Sequence, residues 1–80
     1  MVKIELFYNS NTDTETPKLA NELKDKFGNK VEIVKIDTSE EQIPESYGII
    51  NPPTAVINEK QKIKIEGHDS LSEIVSKAIF

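Results

Sequence analysis

The chain has 80 residues and a formal net charge of -4, from 14 acidic and 10 basic side chains, and every basic residue is a lysine. That length makes one small domain over residues 1–80, able to bury roughly 60% of its unfolded surface in a thin layered fold without a large enclosed pocket. With no cysteine there is no disulfide, no thiolate metal site and no Cys nucleophile.

The acidic balance and the absence of arginine weigh against nucleic acid, whose recognition rests on phosphate neutralisation. No apolar run approaches the ~20 residues of a membrane span. Met1 to Glu5 alternates and lacks the apolar centre of a signal peptide. The expectation is a cytoplasmic protein with no membrane and no nucleic-acid partner, a monomer or weak dimer.

Val2 to Tyr8 opens the chain with a strand period: Val2, Ile4, Leu6 and Tyr8 alternate with Lys3, Glu5 and Phe7. Phe7 on the second face predicts partial burial on both sides, as for a central strand. Asn9 to Thr16 is wholly polar. Leu19, Leu23 and Phe27 then recur at helical spacing, with Ala20 beside them, Thr16 as predicted N-cap and Pro17 at the first helical position. Gly28-Asn29 ends this helix.

Val31 to Ile36 is rich in β-branched residues and reads as a second strand, parallel to the first across a right-handed crossover. Ser39-Glu40-Glu41-Gln42 carries a capping-box pattern that predicts a short helix, limited by Pro44 and closed by Tyr47-Gly48-Ile49. Asn51-Pro52-Pro53-Thr54 punctuates the chain. Ala55-Val56-Ile57 and Lys62 to Ile65 read as a hairpin turning at Glu59 and Lys60. Gly67 ends it, and Ser70-Leu71-Ser72-Glu73 is a second capping box. Leu71, Ile74, Val75 and Ala78 line one face of the final helix.

The predicted order is β-α-β-α-β-β-α. The predicted core is Ile4, Leu6, Leu19, Leu23, Phe27, Ile33, Ile36, Val56, Ile57, Ile63, Ile65, Leu71, Ile74, Val75 and Ala78.

That order resembles the thioredoxin fold over nearly the whole chain. Val2 to Phe7 resembles the first strand of small glutaredoxin-like proteins. Tyr47-Gly48-Ile49 followed by Pro53-Thr54 resembles the segment that holds the family's cis-proline, and Gly67 to Leu71 the turn before its last helix. The resemblance implies an α/β thioredoxin-like fold with a cis Pro52-Pro53 bond and a four-stranded mixed sheet flanked by helices, in which the first strand is central, the second lies parallel on one side and the hairpin on the other, with the first and last helices on opposite faces or ends. Pro17 resembles the proline that often follows the family's second redox cysteine. Aligned so, Asp13 and Thr16 stand where the cysteines would be; slipped by one residue, Thr12 and Glu15 do.

Neither alignment offers a thiol, and thiol–disulfide exchange needs a thiolate, so redox activity is not expected. The residue before the cis-proline, which in the family offers backbone groups to an extended substrate or glutathione, is here Pro52, without an N–H.

The candidate contact surface is therefore the loop Asn11, Thr12, Asp13, Thr14, Glu15 and Thr16, with Pro52 and Pro53, where a helix N-terminus meets the cis-proline. Asn9 also offers a hydrogen-bonding side chain there. The leading expectation is a redox-inactive binding module for a protein or ligand, with no cofactor and no metal. The blander reading has Thr16 merely capping the helix while Asp13 or Glu15 stabilises its positive end. A glutathione-using enzyme would need Thr12, Thr14 or Thr16 as the activating hydroxyl.

A third resemblance, of Leu6 to Thr12 to KaiB-like proteins, implies an interaction protein, although the hairpin after Pro53 fits ordinary thioredoxin-fold geometry better. Pairing of another strand along the hairpin edge is a further route to a partner. His68, the single histidine, reads as an exposed turn residue with Asp69 or Ser70 as N-cap. Asp13 with Glu15, and Glu40 with Glu41, lack the pattern of a calcium loop. Lys60, Lys62 and Lys64 read as protection of a hairpin edge.

Overall fold

The structure is a computed structural model that describes residues 1–80, apart from the side chain of His68. The expectation for that histidine lies outside the described residues. Strand β1 (Val2–Tyr8) leads through helix α1 (Glu15–Phe27) and a single 3-10 turn (Gly28–Lys30) into β2 (Val31–Asp37). A long connection containing a 3-10 turn at Glu45–Tyr47 then reaches β3 (Thr54–Ile57), β4 (Gln61–Lys64) and helix α2 (His68–Ile79).

The sheet has four strands in the order β2-β1-β3-β4. β2 runs parallel to β1, with Ile4 opposite Ile33, while β3 is antiparallel to β1, with Leu6 opposite Ala55. The parallel pair and the β3–β4 hairpin are those read from the residues, and the order is the one expected. The Pro52-Pro53 peptide bond is cis.

Three expectations are corrected. The short helix at Ser39 to Gln42 does not form, so the order is β-α-β-β-β-α. Asp37 draws these residues into a turn instead: its carbonyl accepts from Glu40 and Glu41 N–H, and its Oδ1 accepts from Ser39 N–H and Ser39 Oγ. The would-be capping hydroxyl is thereby occupied, and Pro44 leaves no room for a second turn of helix.

The second capping box is not used either. α2 starts at His68 after Gly67 (φ 91°), and the Ser70 hydroxyl, inside the first turn, accepts from Glu66 N–H at 3.2 Å.

Lastly, both helices lie on the same face of the sheet. Ala20 and Leu23 of α1 join Leu71, Ile74 and Val75 of α2 in one core over Ile4, Leu6, Val31, Ile33 and Ala55. The right-handed crossover puts α1 there, and a hairpin followed by a short turn at Gly67 returns α2 to the same side.

The second face is covered by residues 38–53 rather than by a helix. Phe7, Val56 and Ile50 form a smaller core there, with Ile36, Ile43 and Tyr47 against it. β1 is thus buried on both sides, as its composition predicted. Leu19, Phe27, Ile36, Ile57, Ile63 and Ala78, expected in the core, pack at its margins, while Phe7, Ala20, Val31, Ile50 and Ala55 are buried members outside the predicted core.

Candidate functional site

The loop after β1 is built by its own polar side chains. The Asn9 carbonyl accepts from Thr12 N–H at 3.0 Å and Asp13 N–H at 2.8 Å, and Asn9 Oδ1 accepts from Asn11 N–H at 2.9 Å. This tight turn delivers Asp13 to the start of α1. Asp13 Oδ1 accepts from Glu15 N–H and Thr16 N–H, each at 3.0 Å, and Oδ2 accepts from the Thr16 hydroxyl at 2.6 Å. Asp13, not Thr16, is therefore the capping side chain. Thr16 sits within the first turn with 4% of its surface exposed. Pro17 falls at the third helical position, where a missing N–H is equally harmless.

Burial by itself would raise the Asp13 carboxyl. The Thr16 hydroxyl and the Thr16 and Glu15 N–H groups outweigh it and hold the carboxyl below its ordinary value. Asp37, at the end of β2, ties that strand to Ser10 in the loop after β1. Ser10 and Ser39 hold its carboxyl well below the usual carboxylate range, and the Ser10 N–H lies 3.2 Å from Oδ1. Tyr8 is pushed up by burial and then by the negative field of Asp37, Glu40, Glu41 and Asp13.

Thr12, Asp13, Glu15 and Thr16 converge with Pro53 on one open cleft of about 270 Å³, floored by Leu19 and Ile65 and bounded by Gly67. The remaining predicted residues do not line it. Asn11 is held in the turn behind, and Thr14 is exposed just before the helix. Pro52 turns its carbonyl to Lys64 Nζ at 2.9 Å. Leu19, Ile65 and Gly67 were missed as site residues, since only the return of the chain at Ile65 brings them near Pro53: Ile65 N–H donates to the Pro53 carbonyl at 3.0 Å.

The chemistry open to this cleft is limited. Its buried hydroxyl is committed to Asp13, and the Asp13 carboxylate occupies the helix N-terminus that would otherwise attract an anion. What remains is an apolar floor with an acidic rim. Among the described residues no cluster of three or more His, Asp or Glu side chains could hold a metal ion, and no helix is long and apolar enough to cross a membrane.

Fold and cleft together define a small α/β domain with a four-stranded mixed sheet and two helices. No family model matches the chain, and no curated protein matches it. Its fold is similar to a solved structure of a malarial protein, with a TM-score of 0.69 and 16% identity over 100% of this chain and 99% of that one.

Proposed function

We propose that the protein is a redox-inactive, thioredoxin-like domain that works by non-covalent binding, with its contact surface at the cleft between the start of α1 and Pro53. The observation that carries this reading is the convergence of Thr12, Asp13, Glu15 and Thr16 on a cis-proline at one cleft. A β-α-β unit followed by a hairpin and a helix supports the family assignment, and the absence of cysteine supports binding over exchange. The apolar floor and acidic rim suit a segment with an apolar side chain and no negative charge.

The glutathione-using alternative draws less support. Thr16 donates to Asp13, two carboxylates stand at the rim, and Pro52 lacks an N–H to offer.

An affinity capture from source lysate tests the proposal, comparing the natural protein with a Thr12→Lys, Glu15→Lys double variant. Both positions are exposed, so the fold should persist, whereas Thr16 is too buried to alter. A partner retained by the natural protein and lost by the variant supports the cleft as the contact surface. Identical captures overturn it. Amide shifts confined to Thr12–Thr16 on titrating glutathione would instead favour the enzyme reading.

A further inference from the structure

β4 is the last strand of the sheet and has a neighbour on one side only. The Ile65 N–H bond to the Pro53 carbonyl sets the phase of the β3–β4 ladder. Antiparallel ladders alternate, so Ile63 spends its backbone groups on Ala55, while those of Lys62 and Lys64 point away from β3 toward the open edge.

The two lysine side chains share the second face of the sheet. Their heads are held by backbone carbonyls: Lys62 Nζ donates to Tyr47 O at 2.8 Å, and Lys64 Nζ to Asn51 O at 3.1 Å and Pro52 O at 2.9 Å. Among the described residues neither has a carboxylate within ion-pair distance. Ile63 faces the other way. It lines a groove of about 530 Å³ between the hairpin and α2, whose apolar surface is completed by Ile57, Ile74 and Ala78.

One edge thus presents outward backbone groups, two fixed cations on one face and, on the other, a groove in which Ile57, Ile63, Ile74 and Ala78 stand beside Glu73 and Lys77. We propose that β4 is a docking edge for an extended segment of another protein whose residues run acidic, apolar, acidic. The acids would stand opposite Lys62 and Lys64, and the apolar side chain would enter the groove beside Ile63.

A second copy does not fit. Antiparallel self-pairing centred on Ile63 sets Lys62 against Lys64 of the other copy, and the sequence contains no acidic–apolar–acidic triplet to offer. The lysines that guard this edge against its own kind are the feature that selects an acidic partner.

The test uses a short fluorescein-labelled peptide alternating glutamate with leucine and valine. One comparator replaces each glutamate by lysine; another keeps the acidic sequence but carries N-methyl groups on alternate backbone nitrogens. Fluorescence polarisation gives the affinities, and amide shift mapping gives the site. The acidic peptide should bind with shifts centred on Gln61–Lys64, and both comparators should bind at least about tenfold more weakly. A Lys62→Glu, Lys64→Glu variant should reverse the charge preference. Should loss of the carbonyl contacts unfold that variant, the N-methyl comparison on the natural protein still decides. Equal binding of the acidic and N-methyl peptides, shifts at Thr12–Thr16 instead, or no binding at millimolar peptide overturns the proposal.

Discussion

The Asp13 carboxylate accepts from three donors of the turn that follows it and so caps the start of α1. Removing it in Asp13→Ala should cost about 1–2 kcal/mol in urea unfolding, the range of a lost N-cap. Because the folded carboxyl lies below its unfolded value, this contribution is complete above the unfolded pKa of 3.8 and is lost as pH falls through the folded one. The gap between natural protein and variant should therefore narrow in acid. At the hairpin turn, Asn58 (φ 50°) and Glu59 (φ 63°) both sit in the left-handed region. Asparagine tolerates that conformation, but glutamate is strained there, and its 3.9 Å pairing with Lys3 is exposed and weak. Glu59→Gly should raise stability by about 0.5–1 kcal/mol, read as a higher urea midpoint.

The element that most distinguishes this domain is the connection over residues 38–53, which covers a sheet face without a helix. It is held by Tyr47, whose hydroxyl donates to Glu5 Oε1 at 2.5 Å and whose ring meets Phe7 edge-on at 5.9 Å. Glu5 is only 8% exposed, between Val34 and Val56 on the neighbouring strands. The bond from Tyr47 keeps a buried carboxylate satisfied. Tyr47→Phe should cost about 1 kcal/mol, and a cycle with Glu5→Gln should show the two effects to be coupled. The Glu5 bond, then burial, pushes the Tyr47 hydroxyl up to about 12 from 10.0. Its contribution is therefore complete below pH 10 and is lost as pH rises from 10 towards 12, which alkaline unfolding of natural protein and Tyr47→Phe should resolve.

At the scale of the molecule, the radius of gyration is 11.6 Å, about the value for a compact chain of this length. Two cores share one sheet, and the smaller depends on Phe7, which is fully buried. Phe7→Ala should cost about 3–5 kcal/mol, a large share of the stability of so small a domain. Calorimetry should show the thermal transition shifted far down or absent. Leu71→Ala, fully buried in the larger core, should cost about 2–5 kcal/mol.

The strand pattern of Val2 to Tyr8, the parallel pairing of β1 with β2 and the absence of any thiol were legible in the residues, whereas the place of the hairpin and the cis bond before Pro53 were expected from the family resemblance. Period and composition act locally, and a βαβ unit has one strongly preferred hand. The capping role of Asp13 was not legible, because Asp13 and Thr16 are both good caps and the Asn9 turn decides which one faces the helix. Nor was the missing helix at Ser39, where a capping box lost its serine to Asp37. The sequence by itself determined which segments pair and what chemistry is excluded, since those depend on neighbours along the chain and on residue types. Only the tertiary structure decided that both helices share one face, that Glu5 is buried beneath Tyr47, and that backbone carbonyls hold the heads of Lys62 and Lys64 beside an open edge. Each of those depends on contacts between residues far apart in the chain, whose geometry exists only once the sheet has formed.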